Sequence, residues 1–474
     1  MPHELINIQV GQCGNQIGNA YWRTLLKEYS HFNEQSGSQT QYTDEMSSLF
    51  YLPQSQTRDF SFEKMRARAV LVDTEEGVVN QTLKGSLSSL FEPAQIVASN
   101  SGAGNNWAEG FHRYGPEISD QVIEATRIQL ECCDSPQGFF FLHSLGGGTG
   151  SGLGSYLLQD IRDEYPKITR LTMSVFPSRE SDVVTSPYNA TFATSKLIEH
   201  ADCSFCFDNE ALKNRVTADE AIAKRQPDKM ISSAAPISPL TKSINEREKR
   251  PFKHMNGLVV RCLSSLTSGM RFGGELNVDL GEISTNLVPY KDLHFILPSF
   301  QFVPDRRLNA SIQSTFFDST SYLYDCQPSR ECFLASSLFF RGNFSIFDIN
   351  THLSSIQKKI SIPYWNENVF KLGLTNFTGF KSSDYHKRSV LGLFNNTAVC
   401  QRFDQCINDF NRLYKRKACV YLYENAGMDT HDFENMRYSV ERVSETYREM
   451  KVRAQGHESE EIKIARARFK PLRR

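Results

Sequence analysis

Four apolar segments in the N-terminal part of the sequence each run directly into a loop of glycine or polar residues. The segments cover residues 4–10, 67–72, 138–145 and 171–176, and the loops begin at Gly11, Asp73, Gly146 and Pro177. Repeated strand, loop and helix predict a doubly wound α/β fold, in which helices cover both faces of a mostly parallel sheet. Because ligands bind beyond the carboxyl ends of such strands, we expect the four loops to form one site. The first loop, residues 11–18, is expected to lead into a helix over residues 20–29.

The third of these loops reads GGGTGSG, residues 146–152, and is termed here the glycine loop. It lies between a predicted strand and a predicted helix, where free backbone N–H groups and the helix N-terminus both favour an anion. It lacks the Lys-Ser/Thr pair of a Walker A loop and the spacing of the dinucleotide-binding fingerprint. The pattern therefore predicts phosphate binding by backbone groups, and the alternative is a flexible turn without a ligand.

Two further segments complete the predicted phosphate site. Residues 99–107, SNSGAGNNW, are termed here the small-residue loop. Small residues let backbone N–H groups point at an anion, although most loops of this composition are only turns. Asp73 and Glu75 follow the second predicted strand and would hold Mg²⁺ directly or through water, which offsets phosphate charge where a lysine is missing. The alternative for each carboxylate is a solvated loop charge.

Composition excludes several functional classes. The 474 residues carry a formal net charge of −1, so the chain is not a polycation and no nucleic-acid partner is predicted. No apolar run approaches the roughly 18 residues of a membrane span, and the N-terminus lacks a signal-peptide pattern, so no membrane partner is predicted. Eleven scattered cysteines predict reduced thiols in an intracellular protein. The CxxC of Cys203 and Cys206 indicates two thiols in a strand, because a zinc site would need further ligands.

Sequence patterns divide the chain into four parts. Residues 1–250 form the predicted nucleotide-binding domain, in which residues 213–250 are polar and basic and indicate an insertion. Apolar residues at helical spacing predict a long core helix over residues 251–272. Residues 273–400 are predicted to form a second α/β layer, with strands at 292–297, 332–341 and 389–394. Residues 401–474 are predicted to form helices at 401–417 and 430–450, followed by a basic tail from Lys451.

Several motifs resemble those of the tubulin family. They are GQCGNQIG at 11–18, SGAGNNW at 101–107, GGGTGSG at 146–152 and LNVDL at 276–280. The similarity continues almost from end to end, through RGN at 341–343 and ENAGM at 424–428. It implies a tubulin-like fold with a GTPase domain, a long core helix, an intermediate α/β domain and C-terminal helices. Residues 73–80, residues 185–189 and the insertion before residue 251 resemble the epsilon branch of the family.

The resemblance implies a bound guanine nucleotide, GTP or GDP, together with Mg²⁺. Asp73 and Glu75 would lie near the metal. Asn209 and Asn256 would contact the guanine edge, since an amide carries both a donor and an acceptor, and Phe252 would stack on the base. The residues that would surround the phosphates are Gln12, Cys13, Ala103, Gly104, Asn105, Ser144, Gly147, Gly148, Thr149 and Gly150.

Two positions depart from the usual pattern of the family. Phe252 stands where a tyrosine commonly stacks on the base, so the ring remains and the hydroxyl is lost. Ser186 stands where alpha and beta tubulins have a glutamate near the ribose, so a hydroxyl replaces a charged acceptor. We expect the site to persist with an altered nucleotide affinity.

In the tubulin family, hydrolysis needs a second subunit, whose loop enters the nucleotide site of its neighbour. In this chain the loop is GELNVDLGE at residues 274–282. Glu282 and Asp279 would orient a water molecule against the neighbour's terminal phosphate, so any GTPase activity would be weak and completed only at a subunit interface. Alternatively, both acidic residues favour the N-terminus of a helix, and the two roles are compatible.

The resemblance also implies partners and a cellular location. The partners would be other tubulins or the microtubule wall, and proteins of centrioles or basal bodies, in the cytoplasm and cytoskeleton. The epsilon branch implies a role in forming or maintaining compound (doublet or triplet) microtubules there. The alternative function is a non-polymerising adaptor that keeps GTP or GDP as a structural ligand without hydrolysis. The basic tail would contact acidic tails on a microtubule wall or remain solvated.

Overall fold

The computed structural model describes most of the chain. The described residues are 3–36, 44–53, 64–179, 181–225, 252–304, 308–363, 365–366, 369–379 and 388–454. Most of the predicted insertion, residues 226–250, and the basic tail from residue 455 onward lie outside them.

One large sheet organises the described residues. In chain order the strands are β1 (Glu4–Val10), β2 (Phe50–Tyr51), β3 (Arg66–Ala67), β4 (Ala69–Asp73), β5 (Ile96–Ala98), β6 (Pro136–Ser144), β7 (Thr169–Phe176), β8 (Cys203–Asp208), β9 (Phe295–Phe302), β10 (Phe333–Arg341), β11 (Phe370–Thr375) and β12 (Ser389–Asn396). The sheet order is β11-β10-β12-β9-β8-β7-β6-β1-β4-β5, and β2 pairs separately with β3. Within the large sheet, β12 is antiparallel to both of its neighbours, and the other neighbouring pairs are parallel.

Helices connect these strands. In chain order they are α1 (Gly11–Ser36), α2 (Asp44–Ser47), α3 (Glu76–Leu83), α4 (Gly115–Glu131), α5 (Gly154–Glu164), α6 (Ser186–His200), α7 (Asn209–Arg225), α8 (Lys253–Leu266), α9 (Ser268–Arg271), α10 (Leu280–Leu287), α11 (Leu308–Phe317), α12 (Ile346–Gln357), α13 (Cys400–Tyr414), α14 (Val420–Glu424) and α15 (Thr430–Ala454). Within the described ranges, none of them combines the length and the apolar character that a membrane crossing requires.

Strand β1 shows how the two faces of the sheet are covered. Because side chains alternate along a strand, Ile6 and Ile8 enter one hydrophobic cluster and Leu5 enters the other. The first cluster includes residues of α4, α5, α6, α13 and α15, and the second includes residues of α1 and α8. Every residue of β1 is buried, as expected for a strand with helices on both sides. The predicted doubly wound α/β fold is therefore confirmed.

The strands of the second α/β region continue the sheet of the first. Ser204 of β8 pairs with Phe295 of β9, and Phe205 pairs with Ile296. Six strand-to-strand steps separate β6 from β11. At about 20–25° per step, the sheet turns by about 120–150° over this distance. The strand ends of the two halves therefore point in different directions.

Several element boundaries differ from the sequence prediction. Helix α1 begins at Gly11, because the glycines of residues 11–18 let its first turns lie directly on β6: a Cβ on Gly14 would come 2.0 Å from the Leu142 carbonyl oxygen. The strand expected at 292–297 is β9, which begins three residues later. The core helix is interrupted at Thr267, between α8 and α9. The last helix continues through Lys451, whose Nζ lies 2.8 Å from an oxygen of Glu331.

The cysteines follow the sequence interpretation of the CxxC pair. All eleven are free. Cys203 and Cys206 are both buried in β8, where burial raises the pKa of each thiol well above its usual value. These two thiols are therefore neutral packing groups of a central strand.

Candidate nucleotide-binding site

The loops at the carboxyl ends of β1, β4, β6 and β7 lie together, as predicted from their places in the sheet. A Cβ built on Gly11 would lie 3.5 Å from Thr149 Cβ, so α1 begins against the glycine loop. Thr74, after β4, places its hydroxyl oxygen 2.6 Å from that of Thr149. A Cβ on Gly146 would lie 3.0 Å from Pro177 Cβ, after β7. The glycine loop is thus the centre of this edge of the sheet.

The glycine loop and the small-residue loop are packed backbone against backbone. A Cβ on Gly148 would lie 2.7 Å from the carbonyl oxygen of Ala103 and 2.8 Å from the nitrogen of Asn106. Neither neighbour is a flexible side chain, so only glycine fits at this position. Gly104 and Asn105 both have positive φ, 56° and 53°, and are exposed at the tip of the small-residue loop. The two loops therefore form a wall made mainly of backbone groups.

Asn189 in α6 fixes both loops, although no sequence pattern indicates this role. Its Nδ2 donates to the carbonyl oxygens of Asn105, at 2.8 Å, and Gly146, at 2.9 Å. Its Oδ1 accepts from the Trp107 N–H, at 2.9 Å, and from the Tyr423 hydroxyl, at 2.7 Å. The amide thus uses both donors and both acceptor positions. Its sequence signal was weak, since asparagine is merely an unfavourable residue in a helix interior.

His143 supports the glycine loop from within the sheet, a role that no sequence pattern indicates. Its Nδ1 lies 2.9 Å from the Gly150 carbonyl oxygen, and its Nε2 lies 2.9 Å from Ser174 Oγ. Burial lowers the pKa of His143 to about 4, so the ring is neutral near pH 7. A neutral ring that contacts a carbonyl through Nδ1 must carry its proton there. His143 is therefore a fixed donor that holds the Gly150 peptide.

The two predicted metal-binding carboxylates occupy different surroundings. Asp73 is buried at the end of β4, and this burial raises its pKa to about 6. Glu75 is exposed, and its Oε1 would lie 2.2 Å from a Cβ on Gly102, so its carboxylate rests on the small-residue loop. Mg²⁺ is commonly held by one or two carboxylates together with substrate phosphates and water. Two carboxylates beside the predicted phosphate edge are enough for such a site. The described ranges contain no cluster of three or more His, Cys, Asp or Glu suited to a metal.

The other predicted phosphate contacts border the same edge. Gln12 is exposed and Cys13 is half-buried on the first turn of α1. The carbonyl oxygen of Ser144 would lie 2.8 Å from a Cβ on Gly150. Ser186, which the family resemblance places near the ribose, is buried, and its Oγ donates to the Gly146 carbonyl oxygen of the glycine loop at 3.5 Å. Its hydroxyl therefore contacts the loop backbone.

The residues predicted to contact the base lie on neighbouring helices. Asn209 is the first residue of α7, directly after β8. Phe252 immediately precedes α8 and is 50% exposed, which leaves its ring free to stack. Asn256 is half-buried one turn later, and its backbone N–H donates to the Phe252 carbonyl oxygen at 2.8 Å. Helices α7 and α8 pack against each other. Asn209 on α7 and the pair Phe252 and Asn256 at the start of α8 therefore belong to neighbouring helices.

Glu282 and Asp279 lie at the opposite end of α8 from Phe252. A Cβ on Gly269, just past the end of α8, would contact Val278, the residue before Asp279, at 3.4 Å. The 14 residues of α8 extend for about 21 Å. The Asp279 carboxylate accepts a hydrogen bond of 2.7 Å from the Glu282 N–H and so caps α10. The structure therefore does not bring these acidic residues to the predicted nucleotide site of their own chain.

The carboxylate of Glu282 has a partner within the chain. Its Oε2 lies 3.2 Å from Lys371 Nζ, and the two side chains are 45% and 32% exposed. Exposed pairs of this kind contribute little to stability, so Glu282 can leave the lysine for another partner.

Comparisons with known proteins decide the family. The chain matches the Tubulin/FtsZ family GTPase domain over residues 4–217 and the tubulin C-terminal domain over residues 293–408. It is 36% identical over 462 residues to the tubulin epsilon chain of Mus musculus, which covers 94% of this chain and 95% of that protein. The chain belongs to the tubulin family. This tubulin is also 37% identical over 459 residues to the tubulin epsilon chain of Homo sapiens, and the match covers 93% of this chain and 94% of that protein. Its identity with the tubulin beta chain of Porphyra purpurea is 33% over 472 residues, and the match covers 97% of this chain and 95% of that protein.

These matches confirm the predicted tubulin-like fold and the similarity to the epsilon branch. The GTPase-domain match of this tubulin includes β1 to β8 and therefore the glycine loop, the small-residue loop and both carboxylates. Phe252 and Asn256 lie between the two matched domains, at the start of the core helix.

Proposed function

We propose that this protein is a tubulin subunit that binds GTP or GDP with Mg²⁺ at the edge formed by the glycine loop and the small-residue loop. The observation that carries the proposal is the close approach of Gly148 to the backbone of Ala103 and Asn106, which leaves a wall of backbone groups at a strand-to-helix junction. Such a wall suits phosphate oxygens, because backbone N–H groups and a helix N-terminus both favour negative charge.

In this proposal each part of the nucleotide has its own contacts. The phosphates lie against the two loops, with Gln12 and Cys13 beside them. Asp73 and Glu75 hold Mg²⁺, which offsets the phosphate charge. Phe252 stacks on the base, and the amides of Asn209 and Asn256 contact its edge. The exposed ring of Phe252 and the polar starts of α7 and α8 support this arrangement.

The test is to identify the nucleotide that the purified protein carries. The protein is denatured, and the released nucleotide is separated by chromatography and quantified against the chain. We expect GTP or GDP at close to one molecule per chain. A protein that carries neither, and that binds neither when supplied with Mg²⁺, would refute the proposal.

Glu282 is proposed to act on the nucleotide of a neighbouring subunit. Its exposure, its weak pairing with Lys371 and its distance from the site of its own chain support this role. The carboxylate would position a water molecule in line with the terminal phosphate. The exposed apolar side chain of Val184, on the loop before α6, offers contact area to a neighbour.

The test compares Glu282→Ala with Glu275→Ala, which removes another exposed carboxylate from the same loop. GTP hydrolysis is measured at protein concentrations below and above those at which the subunits associate, or with an added tubulin partner. Of the two variants, we expect only Glu282→Ala to lose the hydrolysis that depends on association. Equal rates for Glu282→Ala and the wild type, under conditions where the wild type associates, would remove Glu282 from the mechanism.

The cellular role is proposed to be structural, in compound microtubules of centrioles or basal bodies. The similarity to two tubulin epsilon chains supports this proposal. The test is to tag the protein in its own cells, locate it by microscopy, and count doublet and triplet microtubules after its depletion. A diffuse protein whose depletion leaves every triplet intact would contradict it.

The alternative is an adaptor that keeps the nucleotide as a structural ligand and does not join a lattice. The buried contact of Ser186 with the glycine loop favours it, because this residue supplies no charged acceptor for the ribose. Bound nucleotide together with no association-dependent hydrolysis would favour the adaptor over the lattice subunit.

A further inference from the structure

The candidate site takes part of its support from helices near the C-terminus of the described chain. Tyr423 on α14 is fully buried, and its hydroxyl donates to Asn189 Oδ1 at 2.7 Å. Arg402 on α13 is 4% exposed, and its Nε lies 2.9 Å from Asp208 Oδ2. A second guanidinium nitrogen of Arg402 donates to the Pro177 carbonyl oxygen. Helix α14 thus contacts α6, and α13 contacts the ends of β7 and β8.

Tyr423 acts on the phosphate side of the site through Asn189. The same amide donates to the Gly146 carbonyl oxygen and so fixes the peptide that joins Gly146 to Gly147. In a trans peptide the C=O and the following N–H point in opposite directions, so this bond aims the Gly147 N–H away from Asn189. The small-residue loop is fixed in the same way, through the Asn105 carbonyl and the Trp107 N–H.

Arg402 acts on the base side of the site. Asp208 is the last residue of β8, and its Oδ1 accepts a hydrogen bond of 2.8 Å from the Glu210 N–H at the start of α7. Asn209, which is proposed to contact the base, stands between these two residues. The contact with Pro177 ties the end of β7 to the same guanidinium. A buried arginine therefore sets the position of two strand ends.

We propose that Tyr423 and Arg402 are positioning residues that couple the C-terminal helices to the occupancy of the nucleotide site. The proposal rests on the nucleotide-binding function proposed above. Glycine and other small residues dominate the two loops, so few of their own side chains fix their shape, and neighbouring side chains contribute to it. Coupling of this kind is reciprocal: if α14 favours the binding-competent loops, bound nucleotide must favour the packed α14.

The test uses Tyr423→Phe, which removes one buried hydroxyl, and Tyr421→Phe as the matched control. Tyr421 lies on the same short helix and is 61% exposed. Affinities of the full chain for GTP and GDP are measured with Mg²⁺, and backbone hydrogen exchange is measured with and without nucleotide. We expect Tyr423→Phe to weaken nucleotide binding by about 3- to 10-fold, the range that the net contribution of one hydrogen bond gives.

Hydrogen exchange distinguishes positioning from a merely structural role. In the nucleotide-free protein, Tyr423→Phe is expected to speed exchange at residues 105–107 and 146–148, and nucleotide is expected to slow exchange in α14 of the wild type. Arg402→Lys keeps a charge beside Asp208 and loses the second donor, so it is expected to speed exchange at residues 178–179 and 208–210. Tyr421→Phe is expected to match the wild type throughout.

The outcomes separate this proposal from the proposed function. A Tyr423→Phe protein with a lower thermal midpoint, unchanged nucleotide affinity and unchanged loop exchange overturns the coupling. Nucleotide that leaves exchange in α14 unchanged overturns it as well. A wild-type protein that binds no nucleotide refutes the proposed function and with it the coupling, while exchange at residues 105–107 still shows whether Tyr423 positions the loop.

Discussion

Glu28 lies between two buried arginines, and this arrangement gives a sharp prediction about stability. Its Oε2 lies 2.7 Å from a guanidinium nitrogen of Arg271, and its Oε1 lies 3.2 Å from one of Arg341. Ser264 Oγ donates to Oε1 at 2.6 Å. The three charged side chains are at most 1% exposed. One carboxylate therefore compensates two buried cations and joins α1 to α9 and β10.

The substitution Glu28→Gln keeps the shape of this side chain and removes its charge. Removing one partner from a buried ion pair costs about 3–5 kcal/mol, because the other charge remains buried without compensation. Here two guanidinium groups lose the same anion. The NH₂ group of the new amide is itself a donor, and it must face another donor. We therefore expect a loss near the upper end, about 5 kcal/mol in the free energy of unfolding.

The pH dependence follows from the ionisation of Glu28. Burial alone would raise the pKa of Glu28, but Arg341, Arg271 and Ser264 outweigh burial, and the pKa lies below its ordinary value of 4.5. The ionised carboxylate thus stabilises the folded protein fully above pH 4.5, and this contribution is lost as the pH falls through the folded-state pKa. The difference in stability between wild type and Glu28→Gln should therefore be largest near neutral pH and shrink in acid.

The assay is urea unfolding followed by tryptophan fluorescence, at neutral pH and at stepwise lower pH. The matched control is Glu131→Gln, which neutralises a carboxylate that pairs with Arg127 on an exposed helix surface. The control is expected to unfold close to the wild type. A Glu28→Gln protein whose unfolding midpoint at neutral pH matches that of the control would show that the buried carboxylate does not stabilise the fold.

Two further substitutions test the candidate site. Gly148→Ala places a methyl group 2.7 Å from the Ala103 carbonyl oxygen and is expected to weaken GTP binding about tenfold or more, whereas Gly273→Ala, with no atom within 4 Å, should bind like the wild type. Wild-type affinity in the Gly148→Ala protein would mean that the two loops separate easily. Asn189→Asp replaces two donors by acceptors that face two carbonyl oxygens, so its nucleotide affinity and thermal midpoint should fall below those of Asn189→Ala. The reverse order in a thermal-shift and GTP-binding comparison would contradict the assigned hydrogen bonds.

Local patterns in the sequence were enough to predict the strands near the N-terminus and the meeting of their loops. The continuation of the sheet from β8 into β9 could not be predicted in this way, because it depends on pairing between residues 204–205 and 295–296. The start of α1 at Gly11 is not predictable from the sequence either, since glycines suggest a loop until their packing on β6 is known.

The candidate site was predictable to a similar degree. Runs of glycine and small residues indicated the phosphate edge, because few other structures need so many residues without side chains. Asn209, Phe252 and Asn256 came from family resemblance alone. Asn189 and His143 are single polar residues whose importance comes from contacts that exist only after folding. Sequence patterns thus indicate the loops that line the site better than the side chains that hold those loops in place.

The position of β12 has a consequence for synthesis of the chain. This strand lies between β9 and β10 and is antiparallel to both, so among the described residues β10 and β11 join the rest of the sheet only through residues 389–396. Chains emerge from the ribosome with the N-terminus first, so β9 presents an open edge until residues 389–396 have been made. Open apolar edges pair readily with other chains. A nascent chain of this tubulin therefore needs its β9 edge shielded until β12 emerges and closes the sheet.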